Sequence, residues 1–252
     1  MMNEGSKTSG AVHREEVKEV SESESSFREV FPCPYLQDGR MASIRYLFAP
    51  PDIMSRFDLF LSGGYRRLGA VLYRNVCEGC CACRPIRLRP SSFTPGRSQR
   101  RTTRKNADLH VEIPPRPSVT YEKIALYKEY LLKKHAQEQS TRECEELLSG
   151  LHYGYPGAIE MDYYLDDRLV GVGIVDEGPD SLSSNYFYYD AACPGKRLGV
   201  FSVLKEISLA VARRKKFYYL GFYIEEISRM SYKKSFRPNE VLGKSGWKKF
   251  MP

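Results

Sequence analysis

From residue 158 to residue 224, strand-like runs alternate with one long amphipathic helix, and this order limits the fold more than any other feature of the chain. "AIEMDYYLDDRLVGVGIVDEG" reads as a hairpin turning at Asp166-Asp167, a common turn composition. "SNYFYYDA" reads as a third strand, and its aromatic run suggests burial on both faces. "RLGVFSVLKEISLAVARRKK" reads as an amphipathic helix with Val200, Val203, Leu204, Ile207 and Val211 inward. "FYYLGFYI" then supplies a fourth strand, and "EEISRMSYKKSF" a short helix stopped before Pro238. Strands, crossover helix and further strand predict an α/β sheet with helix covering a face.

Upstream, residues 1–28 read as a tail rich in Ser and Glu, unable to bury enough surface to offset its ordering entropy. It carries −2 of the net charge of +8, so the body carries +10, which points to a polyanionic partner or to a merely basic soluble protein. "PPDIMSRFDLFLSGG" spaces Ile53, Met54, Phe57, Phe60 and Leu61 as a short helix that ends at Gly63-Gly64. "AVLYRNV" and "RPIRLRPSSF" read as strands flanking a cysteine cluster. "PPRP", residues 114–117, is the strongest punctuation, and a helix from about Tyr121 to His135 follows. The expected organisation is therefore a tail over 1–28, a Cys- and Arg-rich α+β domain over 29–113, and an α/β domain over 114–252. No run of 18 apolar residues or secretory h-region is present, which predicts no membrane association. Four of the seven cysteines crowd into Cys77–Cys83, too tightly for a secreted disulfide framework, and a reducing cytoplasm fits them.

Four constellations carry chemistry. In "CEGCCAC", Cys77, Cys80, Cys81 and Cys83 stand at metal-ligand spacing, and Cys33 would have to return to them to close a tetrahedral zinc or Fe–S site. Reduced thiols packed as small hydrophobes are the competing reading. From Gly79 to Ala107 there is no acidic residue and there are eight basic ones, with Arg97, Gln99, Arg100, Arg101, Arg104 and Lys105 at the centre. Arginines interleaved with hydroxyls and amides suit phosphate and ribose contacts, against the alternative of a solvated charged face. "GGYRRLG" offers Arg66 and Arg67 as an anion site or as the exposed end of a helix cap. In "YFYYDAACPGKRLG" a strand ends at Asp190, a loop with Lys196 and Arg197 follows, and a helix begins near Leu198. That turn resembles the pyrophosphate-binding turn of GNAT acyltransferases. His13, His110, His135 and His152 form no metal pair or nucleophile–base pair, and structural roles are expected for them and for Trp247.

These motifs occur in the order of a known family. "CPYL" at Cys33, "GGYRRLG", "YRNVCEGCCACRPIRL", "RSQRR", "YKEYLLKKH", "NYFYYD", "GKRLGVFSVLKEI", "YYLGFYI" and "MSYKKSFRPNEVL" resemble the arginyl/leucyl-tRNA–protein transferases over roughly residues 30 to 250. The bacterial aspartate/glutamate leucyltransferases are the most similar branch.

The resemblance implies a GNAT-like second domain that uses aminoacyl-tRNA in place of acetyl-CoA. It implies transfer of Leu or Arg to the N-terminal α-amine of a protein beginning with Asp or Glu, which marks that protein for degradation. No cofactor is then required for transfer, because the ester is already activated. In that reading Asp190 is the candidate base, and Tyr188 and Tyr189 order the amine or the tRNA 3′ end. Arg66, Arg67 and Arg87 are candidates for the acceptor's acidic side chain, and Lys196 and Arg197 join the basic run on the tRNA. Leu36 stands where some arginyltransferases carry a second cysteine, Cys81 restores a Cys-Cys pair, and Ala191 replaces a proline. The donor amino acid stays open. So do a non-catalytic tRNA- or metal-binding module and an acetyl-CoA enzyme.

Overall fold

The computed structural model describes residues 26–250. Most of the expected tail lies outside them, and its last residues enter the first strand, β1 (Ser26–Pro32). Two sheets organise the chain. The smaller is antiparallel, with order β1-β2-β4-β3, built from β1, β2 (Met41–Phe48), β3 (Arg66–Leu68) and β4 (Val71–Asn75). One face packs on helix α1 (Ile53–Ser62), which buries Ile53, Phe57, Phe60 and Leu61 against Leu47 and Leu72. Met54 remains exposed.

The larger sheet has eight strands in the order β12-β11-β5-β10-β9-β8-β7-β6. They are β5 (Arg84–Leu88), β6 (Leu109–Glu112), β7 (Ala158–Leu165), β8 (Arg168–Glu177), β9 (Ser181–Tyr189), β10 (Phe217–Tyr223), β11 (Asn239–Gly243) and β12 (Gly246–Lys249). Strands β5 and β6 precede the 114–117 punctuation yet pair with β10, β11 and β7, so one hydrogen-bonded sheet crosses the expected boundary at 113. The β7–β8 hairpin turns as expected on Asp166 and Asp167, both at positive φ (49° and 61°), which matches the twist of a two-residue hairpin.

Helices cover both faces. On one lies α5 (Leu198–Ala212), burying Leu198, Phe201, Val203, Leu204, Ile207 and Ala210. The stripe differs from the expected one: Val211 is exposed and Val200 only half-buried, because the inward face also takes the polar Ser202 and Glu206. On the other face lie α3 (Tyr121–His135) and α4 (Thr141–Tyr153). Ser140 and Glu143 form a reciprocal capping box at the start of α4. The basic run is itself a helix, α2 (Arg97–Lys105), seated on the start of α5. Among the described residues no helix is long and apolar enough to cross a membrane.

Candidate active site between the splayed strands

Strands β9 and β10 are the parallel pair of the large sheet, and they pair only where residues 217–219 meet 181–183. Beyond that point β9 runs on to Tyr189 and β10 to Tyr223 without pairing, and β10 bulges between Tyr219 and Gly221 to follow β5 instead. The strands therefore part and open a cavity of about 720 Å³. Ser184, Asn185, Tyr186, Phe187 and Tyr189 line one wall, Leu220, Gly221 and Phe222 the other. The first turn of α5 (Leu198, Gly199, Val200) closes one end, and the end of α3 contributes Tyr130, Lys134 and His135.

The charge of this cavity is one-sided. Its described lining residues include Arg66, Lys134, Arg197, Arg229 and Lys233, and no Asp or Glu. Arg66 is buried and donates through Nη2 to the carbonyl of Ser184, while its Nη1 is buried without a partner. Lys233, from the short segment Tyr232–Ser235, donates to the carbonyl of Phe222 at 3.0 Å. A Cβ on Gly221 (φ 95°) would come within 3.1 Å of both cationic ends, so the glycine leaves the two cations side by side over bare backbone. Burial and then the Arg66 guanidinium push the Lys233 ammonium down to about 7, with Glu206 opposing. Glu206 lies behind the wall, fully buried, accepting from Ser202 Oγ at 3.0 Å and Tyr218 Oη at 2.7 Å. Burial raises the Tyr130 hydroxyl to about 12 and raises that of Tyr186 too, so both face the cavity as neutral donors.

Several expected site residues lie elsewhere. Tyr188 and Tyr189 cannot share one substrate, because adjacent strand residues face opposite ways. Tyr189 lines the cavity, whereas Tyr188 is 0% exposed and packs edge-on to Tyr127 in the core under α3 and α4. Asp190 does not line the cavity. Its Oδ2 accepts from Arg168 Nη1 at 2.7 Å and its Oδ1 from the Ala192 amide at 2.7 Å, an arrangement that shapes the β9–α5 loop. Burial would raise its pKa, but these donors outweigh it and hold the carboxylate below its usual range, which makes it a weak base.

Arg67 faces away from Arg66. It is buried, bonded to Asp176 Oδ1 at 2.8 Å and to the carbonyls of Gly69, Gly150 and Leu151. Arg87 is sandwiched between Phe217 and Trp247 at 4.0 and 4.1 Å and paired with Glu240 at 2.8 Å, outside the cavity. Of the three arginines proposed for an acidic side chain, only Arg66 is placed to meet one. Lys233 and His135 are cavity residues that sequence reasoning did not select. Both sit in helical segments whose neighbours look like ordinary solvated charges.

The basic helix meets the cavity at one end. Arg97, Arg100, Arg101, Arg104 and Lys105 are exposed on α2. Gln99 is instead buried: its Oε1 accepts from the Gly96 amide at 2.7 Å and caps the helix, so it is unavailable to a nucleic acid. Arg197, at the cavity edge, donates to Ser98 Oγ at 2.8 Å, which joins α2 to the lining. Lys196 is half-buried and paired with Asp108 at 2.5 Å.

The cysteines form a separate group. Cys33, Cys77, Cys80 and Cys83 line one small cavity of about 80 Å³, whereas Cys81 is exposed and does not. N–H donors approach the sulfurs: Leu36 N to Cys33 at 3.4 Å, Ser43 N to Cys77 at 3.3 Å and Arg40 Nη1 to Cys80 at 3.1 Å. Burial, then the neighbouring Cys33, Cys77 and Cys80, push the Cys83 thiol up to about 12. The donor types suit zinc or a cluster, but the placement does not. Among the described residues no three His, Cys, Asp or Glu are positioned to hold an ion.

Comparison with known proteins adds a family. Residues 31–101 match "Arginine-tRNA-protein transferase, N terminus", and residues 122–243 match "Arginine-tRNA-protein transferase, C terminus". An aspartate/glutamate leucyltransferase of Shewanella putrefaciens is 35% identical over 225 residues, 87% of this chain and 92% of that protein. A protein of the same name from Shewanella oneidensis is also 35% identical, over 87% and 91%. Among solved structures, FemX is similar at a TM-score of 0.49 and 9% identity, covering 92% of this chain and 89% of its own.

Proposed function

The chain belongs to the arginine-tRNA-protein transferase family of aminoacyltransferases, and on that premise we propose that it transfers leucine from charged tRNA to the N-terminal α-amine of proteins beginning with Asp or Glu. One observation carries the choice of substrates: the cavity wall holds five cationic side chains and, among its described residues, no carboxylate. An acidic acceptor side chain and a tRNA terminus are attracted there, and a donor arginine would meet only like charge. Leucine finds Phe187, Leu198, Val200, Val203 and Leu220.

The chemistry follows from these groups. The acceptor arrives as an ammonium and must lose a proton before its nitrogen attacks the ester carbonyl. Lys233, poised near neutrality, is the proposed acceptor of that proton, a role for which Asp190 is too acidic. The new C–N bond forms as the C–O bond to the tRNA ribose breaks, the second proton of the attacking nitrogen passes to the leaving ribose oxygen, and Lys233 releases the first to solvent. The free Nη1 of Arg66 is proposed to hold the acceptor's carboxylate. The first turn of α5 supplies backbone N–H groups toward the tetrahedral oxyanion. Arg97, Arg100, Arg101, Arg104, Lys105 and Arg197 are proposed to bind the tRNA phosphates, and no cofactor takes part in the transfer. A cytoplasmic setting, where charged tRNA is found, follows from this reading.

The test crosses Leu-tRNA and Arg-tRNA with acceptor peptides of varied first residue. Transfer of Leu to Asp- and Glu-initiated peptides is expected. Transfer of Arg alone would reverse the donor assignment, and no transfer from either would sink the reading. Calorimetric binding of acetyl-CoA would favour an acetyltransferase instead.

A further inference from the structure

One face of the small sheet carries a row of side chains directly opposite one another across four strands: Phe27, Tyr46, Tyr73 and Arg66. At about 4.8 Å per strand the row spans roughly 14 Å. Its rings touch in sequence. Phe27 stacks on Tyr46 at 4.9 Å, Tyr46 meets Tyr73 at 6.4 Å, and Tyr73 meets Phe222 at 6.0 Å. The outer end is open to solvent, with Phe27 47% exposed, and the inner end is in the cavity, where Tyr73, Phe222 and Arg66 are lining residues. A parallel row beside it, Phe48–Val71–Leu68, leaves Phe48 56% and Leu68 51% exposed. Isolated exposed apolar residues are ordinary, but a contiguous aromatic strip leading to a buried guanidinium whose Nη1 has no partner is not.

Resting on the transferase reading, we propose that this strip binds the first several residues of the acceptor protein, running outward from the side chain held by Arg66. Two features select a polypeptide over the tRNA. The strip carries no cation before Arg66, and Glu29 shares its face, close enough to Tyr46 to help raise that hydroxyl's pKa after burial. Phosphates are repelled there. They are served at the other end of the cavity, where Arg197 joins the basic face of α2. The two substrates then enter from different ends and meet beneath the splayed strands. Apolar and aromatic contacts tolerate many sequences, as an enzyme that reads only a protein's first residue requires.

The double variant Phe27→Ser/Phe48→Ser tests this in the full chain. The probes are a ten-residue peptide with N-terminal Glu and a C-terminal fluorophore, read by anisotropy, and the dipeptide Glu-Ala as competitor. Both altered side chains are exposed, and an unchanged melting temperature verifies folding. The variant is expected to bind the long peptide about tenfold more weakly, with dipeptide and charged-tRNA affinities unchanged. Unchanged long-peptide binding overturns the proposal. So does a selective loss of tRNA affinity, which assigns the strip to nucleic acid, or loss of a wild-type dimer, which assigns it to a second copy. A parallel transfer assay keeps the two ideas apart. Length-dependent binding without aminoacyl transfer leaves the surface standing and removes the transferase reading.

Discussion

At the residue scale, the site rests on two neighbouring cations whose surroundings set different tasks. Arg66 has an unmatched donor, so removing it leaves an acceptor carboxylate without its partner. Arg66→Met is expected to raise the KM for Glu-initiated peptides roughly thirtyfold, as loss of about 2 kcal/mol at a desolvated charge pair implies, with little effect on tRNA affinity. Lys233 is the titrating group. Its pKa of about 7 predicts a rate limited by protonated lysine below neutrality, so kcat rises with pH through about 7 and levels above it. In Lys233→Met that limb disappears and kcat falls, whereas the fold is not weakened. The sign follows from linkage. A half-buried lysine with depressed pKa is proton-free in the folded chain between about pH 7 and 10 while the unfolded chain binds the proton, so stability declines by up to about 1.4 kcal/mol per unit as pH falls through that window and is flat below it. The methionine variant lacks this decline, which thermal melts at pH 6 to 9 would reveal.

At the scale of elements, two buried contacts lock the small sheet to the large one. Arg67 of β3 reaches Asp176 of β8 and the last carbonyls of α4, with both charged side chains almost fully buried. Arg67→Met is therefore expected to cost about 3–5 kcal/mol of stability by orphaning a buried carboxylate. Denaturant melts measure this, and an unchanged midpoint would contradict the structural assignment. Just beyond α4, a Cβ on Gly154 would fall 2.4 Å from the backbone of Gly69, so Gly154→Ala should destabilise through forced separation of the two segments.

Elements also mark where sequence reading stopped. α2 shows no apolar period because its inward residues are Gln99, Thr102 and Asn106, polar groups that bond to backbone. A composition of arginines and hydroxyls thus conceals a helix, and periodicity of hydrophobes cannot find it. α4 was findable: the Ser140-x-x-Glu143 capping box precedes Leu147, Leu148 and Leu151.

At the scale of the molecule, the exposed cations of α2 and a cavity whose described lining holds no carboxylate give the protein a directional field. If five phosphates are met, tRNA affinity falls steeply with salt, and Arg100→Ala/Arg101→Ala/Arg104→Ala should reduce the log–log slope by roughly 2–3 while sparing peptide binding. Filter binding across salt concentrations measures this, and an unaltered slope would remove α2 from the interface.

The hairpin at Asp166-Asp167, the helices at 53–62, 121–135 and 198–212, and the strand–helix–strand order were legible in the chain because each depends on local turn chemistry or on a hydrophobic period within one segment. The ordered motifs also carried the family, since short patterns at conserved order survive without any geometry. The site itself was only partly legible. Asp190, Arg67 and Arg87 bear the right charges, yet their partners Arg168, Asp176 and Glu240 are remote in sequence or invisible to a motif, and only folding shows that those charges are already engaged. Arg66 and Lys233 lie 167 positions apart and become neighbours because β10 bulges at Gly221 and parts from β9. Whether a charge is free, paired or shifted depends on distances across the fold, and so tertiary structure alone decided which of the basic residues could act.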